Sequence, residues 1–270
     1  DTNYDTESIL FSPSLTFPVS RNGRVQLRYS ALRNEQLTRD PVTNGVVVQN
    51  EINAGAQTSS LLGYRYVYDT RNTGSNPNVG ILFEFGQDFS GFGGDSKYIK
   101  TSAKILAQRR ILNDEVTLRA SLESGLLAWS GGTSRTVDRF LLDPQILRGF
   151  DPGGIGPREI NTNSSDPLGG NMYVAARFEA EFPLGLPEEI GLSGAVFYDV
   201  GNLWNLDDVN LGGVGTGAIV GEGGSFRHVL GFSVLWDSVV GPLRFNFSKA
   251  LRKEDFDQEQ TFDLTLSTTF

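Results

Sequence analysis

An alternation of apolar and polar residues with a period of two recurs about eleven times along this chain, and it confines the fold to β-structure. At the C-terminal end Phe262, Leu264, Leu266, Thr268 and Phe270 share one face, while Asp263, Thr265, Ser267 and Thr269 share the other. Residues 60–71 set Leu62, Tyr64, Tyr66 and Tyr68 against Arg65, Val67 and Asp69. Residues 115–129 set Val116, Leu118, Ala120 and Leu122 against Thr117, Arg119, Ser121 and Glu123. Residues 172–182 set Val174, Ala176, Phe178 and Phe182 against Tyr173, Arg177, Glu179 and Glu181. The remaining strands are expected at 7–19, 25–33, 79–88, 98–110, 191–202, 226–237 and 242–251.

A soluble sandwich also alternates, so the connections decide. Short links at 20–24, 71–78, 112–114, 183–190 and 238–241 take turns with longer ones at 34–56, 89–97, 130–171, 203–225 and 252–259. Short turns on one rim and long loops on the other mark an outer-membrane barrel. Strands of about ten residues match a tilted crossing of the hydrocarbon core. Charges keep to one face of each strand, as a water-filled lumen demands, and aromatics gather toward strand ends (Phe11, Phe17, Tyr64, Tyr68, Trp129, Phe182, Trp236). The expected fold is therefore all-β: a transmembrane antiparallel β-barrel. An odd number of strands cannot close an antiparallel ring, and an open edge in lipid leaves backbone groups unsatisfied. An odd number of further strands is thus expected before Asp1, which makes 1–270 a partial barrel domain. Pro13 weakens the first strand or marks a bulge in it.

Composition removes other function classes. Hydrophobic residues make up 39% of the 270, a fraction that lipid-facing and lumen-facing alternation explains, and no apolar run is long enough for a helical span. One His, one Met and no Cys leave little for a metal or thiol site. A net charge of −9 argues against nucleic acid. No Gly-x-Ser-x-Gly elbow occurs, and any triad would depend on His228, beside Arg227 at a strand start. Glu188-Glu189 and Asp207-Asp208 read as solvated turn charges. Gly-rich 211–224 lacks the features of a phosphate-binding loop and reads as an external loop. No enzyme activity, metal or cofactor is expected.

The longest connection, 130–171, holds Leu147-Arg148-Gly149-Phe150, then Asp151-Pro152-Gly153-Gly154-Ile155-Gly156-Pro157-Arg158, then Pro167-Leu168-Gly169-Gly170-Asn171. Such Gly and Pro density sets a fixed, turn-rich path. Arg148 stands between apolar neighbours, a setting that suits a buried cation with partners. The next two strands offer Glu179, Glu181 and Asp199 on their lumen face, and a guanidinium can engage a carboxylate bidentately.

These segments resemble the BamA superfamily of outer-membrane proteins. Leu147–Phe150 looks like its loop signature, and Gly156-Pro157-Arg158 and Gly169-Gly170-Asn171 like the segments that follow. Glu181-Phe182-Pro183, the run 197–202 (Phe-Tyr-Asp-Val-Gly-Asn) and the run 241–245 (Gly-Pro-Leu-Arg-Phe) resemble its next strand motifs. Tyr68-Asp69-Thr70-Arg71 resembles an earlier one, and Phe270 the terminal residue. The resemblance implies that 130–171 folds into the lumen, that Arg148 meets Glu181 and Asp199, and that Gly156, Pro157 and Arg158 support the loop. It implies a sixteen-stranded barrel of which these are the sixth to sixteenth strands, with POTRA domains and first strands outside this sequence. The implied function is assembly of other β-barrel proteins in the outer membrane of a Gram-negative bacterium. The implied partners are membrane lipids, substrate β-barrels and accessory lipoproteins of an assembly complex. Phe262, Leu264, Leu266 and Phe270 would lie on the seam strand, whose edge templates the incoming strand while thinned lipid lowers the barrier to insertion. A related translocation or secretion pore, of the TamA or two-partner-secretion kind, is the competing expectation.

Overall fold

The computed structural model describes residues 4–38, 44–71, 79–131, 134–161, 165–207, 209, 218–238 and 241–266. The first half of the chain supplies β1 (Tyr4–Phe11), β2 (Ser14–Pro18), β3 (Gly23–Thr38), α1 (Val46–Asn53), β4 (Gln57–Asp69), β5 (Gly80–Gly94), β6 (Tyr98–Ile111) and β7 (Val116–Trp129). The second half supplies β8 (Arg158–Ile160), β9 (Ser165–Pro167), β10 (Met172–Pro183), β11 (Leu192–Trp204), β12 (Ala218–Val220), β13 (Arg227–Ser238), β14 (Gly241–Arg252) and β15 (Phe262–Leu266).

One antiparallel sheet forms the wall, in the order β1-β3-β4-β5-β6-β7-β10-β11-β13-β14-β15, with β2 also paired to β3. The eleven expected spans are all present. The first is split at Pro13, which has no N–H to give the ladder. Its carbonyl still accepts the Tyr29 N–H at 3.2 Å. The register survives the break, since Phe11 faces Ala31 and Ser14 faces Arg28. Among the described residues β1 and β15 are the two edges of an open sheet.

The two faces of the wall are inverted relative to a water-soluble protein. Ile81, Leu122, Phe178, Val196, Leu230, Phe232 and Leu264 are each more than 40% exposed on the outside. Ion pairs line the inside instead: Arg28–Asp88, Arg65–Glu84, Lys104–Glu123 and Arg119–Glu181. A continuous apolar exterior of this extent is a lipid-facing surface. Between β6 and β7 the turn places Leu112, Asn113 and Asp114 in succession at positive φ, tight enough for a short rim connection.

The long connections carry structure that alternation does not announce. β3 runs on to Thr38, and α1 takes up Val46–Asn53 of what read as a loop at 34–56. Within 130–171, β8 and β9 form a small sheet with β12, drawn from the connection at 203–225. That connection is therefore partly ordered against 130–171; residues 210–217 lie outside the described residues, as do Asp208 and Phe270.

The core lies between the loop and the inner face of the wall. Leu142, Leu147, Phe150 and Ile155 of the loop pack with Tyr173, Phe197, Leu203 and Val229 of the strands. Across the lumen, Tyr4 of β1 packs with Val47 and Val48 of α1 and with Leu168 of the loop. Strands from both halves of the sheet thus close on one loop.

Candidate functional site

The loop enters the lumen after Trp129 and returns at β10, although β7 and β10 are direct neighbours in the sheet. Asp143 starts the tight approach to the wall, its carbonyl accepting the N–H groups of Ile146 and Leu147 at 3.0 Å each. Gly149 follows at φ +89°, and a Cβ there would stand 2.8 Å from Cγ1 of Val229 on β13. Glycine is therefore required twice, for conformation and for close approach. Leu147 and Phe150 fill the core on either side, which leaves Arg148 directed at β11.

Arg148 is 2% exposed and Asp199 is fully buried. The guanidinium holds Asp199 bidentately, Nε to Oδ2 and Nη2 to Oδ1, each at 2.7 Å. Its Nη1 donates to Glu179 Oε2 at 2.6 Å. The Phe197 ring lies beneath, its centroid 3.5 Å from the guanidinium carbon, which adds a cation–π contact. Burial works against the charge, but hydrogen bonding to Asp199 and the two carboxylates outweigh it, so the Arg148 pKa rises above its usual value. Arg244 donates to Glu179 from β14, and Arg177 Nε stands 3.8 Å from Asp199. Three arginines and two carboxylates therefore interlock on the lumen wall, which is how a buried cation becomes tolerable.

One expected partner is not at this contact. Glu181 pairs with Arg119 and accepts from Ser193 Oγ at 3.3 Å, while Glu179 takes the place beside Arg148. Register gives the reason. Arg177 stands opposite Asp199 and Glu179 opposite Phe197, so Glu179 is the nearest carboxylate on β10 to the Arg148–Asp199 pair. Glu181 lies two residues further toward the short-turn rim, opposite Ala195.

The other singled-out residues fall as follows. Gly156 is at φ +93° against the Leu203 side chain, and the Pro157 carbonyl accepts the Leu168 N–H at 2.9 Å. Arg158 is fully buried and donates to the carbonyls of Phe256 and Gly153 at 2.7 and 2.8 Å. Phe262 and Leu264 face outward on β15, about half exposed; Leu266 ends that strand. His228 meets the Tyr198 hydroxyl through Nδ1 at 2.6 Å, on the outer side of the wall.

Three contacts escaped the sequence. Glu159 and Asp166 take the free N–H groups at the start of α1: Val46 and Val47 donate to Glu159 at 2.7 and 2.9 Å, and Gly45 to Asp166 at 2.5 Å. Glu51 of α1 accepts from the Thr136 N–H and neighbours Arg139. Arg227 at the head of β13 holds Asp257 bidentately at 2.8 Å through Nε and Nη2. Of these, Arg227 was noted only as the neighbour of His228 at a strand start, and Asp257 only as part of the long connection 252–259.

Cysteines placed at Leu147 and Phe150 in the full-length protein are expected to stay unlabelled by a membrane-impermeant thiol reagent applied to intact cells. A cysteine at the exposed Ser130 serves as the reactive control. Labelling at 147 and 150 as fast as at 130 would mean the loop stands outside the lumen.

Comparison with known proteins bears on the family and the fold. The Omp85 superfamily domain model matches residues 1–270. The outer membrane protein assembly factor BamA of Neorickettsia risticii is 30% identical over 218 residues, covering 80% of this chain and 28% of that protein. The sorting assembly machinery 50 kDa subunit of Saccharomyces cerevisiae is 27% identical over 167 residues, 59% of this chain and 33% of that protein. The crystal structure of BamA from Haemophilus ducreyi lacking POTRA domains 1–3 superposes with a TM-score of 0.80 at 20% identity. That match covers 97% of this chain and 54% of the other. The chain thus spans at most about a third of these two curated relatives.

Proposed function

Because the chain belongs to the Omp85 superfamily, we propose that it is the barrel of a factor that folds and inserts β-barrel proteins into the outer membrane. Residues 1–270 act in this scheme as one barrel unit. Leu147, Arg148, Gly149 and Phe150 are its docking motif, Asp199 and Glu179 the receptors of that motif, and Gly156, Pro157 and Arg158 its support.

The observation that carries the proposal is a lumen occupied by a loop that a buried arginine fixes to the wall. A passive pore needs that space open, whereas an assembly factor works from its side. The backbone of β15 on the side away from β14 offers N–H and C=O groups, a template for an incoming strand by β-augmentation. Phe262 and Leu264 on its outer face keep that template at the lipid boundary. Substrate β-barrels, membrane lipids and accessory lipoproteins are the partners in this scheme, and no nucleotide or metal enters it.

Full-length protein reconstituted in phospholipid vesicles is expected to speed the folding of a urea-unfolded outer-membrane barrel more than about tenfold over empty vesicles, a barrier lowering of roughly 1.4 kcal/mol or more. Equal rates with and without the protein would sink the assembly role. Steady ion conductance in the absence of substrate would favour the pore.

A further inference from the structure

The Arg148 site does not use the second buried arginine pair, Arg227 and Asp257. Both side chains are at most 1% exposed. Arg227 spends its remaining nitrogen on Asn202 Oδ1 at 2.6 Å and on the Ser225 carbonyl at 2.7 Å. Asp257 Oδ2 also accepts the Glu254 N–H at 2.7 Å, which curls the segment 253–257 around the carboxylate. This segment is the connection that leads from β14 into β15.

The same connection is stitched to the lumen loop beside the docking motif. The Asp151 N–H donates to the Gln258 carbonyl at 3.0 Å, and the Gln258 N–H to the Gly154 carbonyl at 2.9 Å. The Gln260 N–H donates to the Gly149 carbonyl at 3.1 Å. Arg158 reaches the Phe256 carbonyl from the other side. β15 itself has one neighbour among the described residues, pairing Leu243–Phe247 of β14 with Phe262–Leu266. An edge strand held on one side takes its position from what fixes its ends. Here the end of β15 that follows the turn is fixed by Arg227 and by the loop.

We infer that the Arg227–Asp257 clasp is a positioning device for the last strand: it anchors the 253–261 turn to the head of β13 and so sets where β15 presents its edge away from β14. Arg227 touches no substrate; it acts through Asp257 and the turn. The inference rests on the assembly role only for the use made of that edge. The clasp itself is a property of the chain.

Hydrogen exchange on the full-length protein in lipid nanodiscs separates the two. Asp257→Asn keeps the shape of the side chain and removes its charge. It is expected to speed exchange across 253–266 by about tenfold while 192–204 in the wall keeps wild-type rates, as local opening does. Arg227→Ala should do the same or more. Arg227→Lys keeps the charge without the planar fork, and should fall between Arg227→Ala and wild type. In the vesicle assay the assembly rate should follow the same order, with lysine recovering part of the loss. Unchanged exchange at 253–266, or equal acceleration in 192–204, would overturn the clasp whether or not the protein assembles barrels. Selective exchange without any change in assembly rate, in a protein that does assemble barrels, would overturn the positioning role.

Discussion

Full-length protein carrying Arg148→Ala is expected to leave a depletion strain short of folded porin and to lose the protease resistance of loop 130–171. The change takes the bidentate partner from Asp199, which is fully buried, and one of three arginines from Glu179, which is also packed away from water. Breaking a buried pair by removing one member typically costs about 3–5 kcal/mol. Arg148→Lys retains the charge but cannot reproduce the two parallel bonds to Asp199, and should be intermediate. The carboxylates should rank by their contacts. Asp199→Asn should be the most damaging, because it alone receives both arms of the fork. Glu179→Gln should follow, since Arg244 and Arg119 also lean on it. Glu181→Gln should be mild, its partner being the partly exposed Arg119. Normal porin levels and an equally resistant loop in Arg148→Ala would reduce that residue to a bystander.

The second large effect concerns the outer wall. Phe178→Lys puts a charge on the lipid-facing side of β10, where the native ring is half exposed, and should destabilise the folded barrel by about 2–4 kcal/mol. Ser102→Lys on the inner face enters a polar space lined by Glu84, Lys104 and Glu123, and should stay within about 0.5 kcal/mol. Urea unfolding from detergent or lipid measures both. Matching costs at the two positions would mean that the faces of the wall are assigned wrongly.

The strands were legible because period two is a direct consequence of the pleat. Phe178 and Glu179 fall on opposite faces in any straight strand, and the sheet keeps them there. The docking arginine was legible because a lone cation between Leu147 and Phe150, framed by glycine, has few stable settings other than a buried one. Asp199 was among its expected partners and receives the fork; the second partner was legible only to within one pleat. Glu179 and Glu181 share a face, and sequence does not say how deep the loop reaches along it. The contacts of α1 were invisible for a related reason. Glu159 and Asp166 meet the helix N-terminus across more than a hundred residues, and nothing local to either carboxylate marks it as a cap. Asp257 was lost among solvated neighbours because its burial comes from Arg227, not from apolar residues of its own.

The anchors of the loop also fix an order of events in this chain's own folding. The arginine motif precedes every group that holds it: Glu179 and Asp199 come 31 and 51 residues later, and Phe256 comes 98 residues after Arg158. Contacts of such separation form only once the intervening chain is in place, because loop closure must be met before they stabilise anything. The loop therefore locks late, when β10 through the β14–β15 turn already stand. A docked loop certifies a finished wall, and newly made chains that have lost the C-terminal strands should carry this segment loose and open to proteolysis.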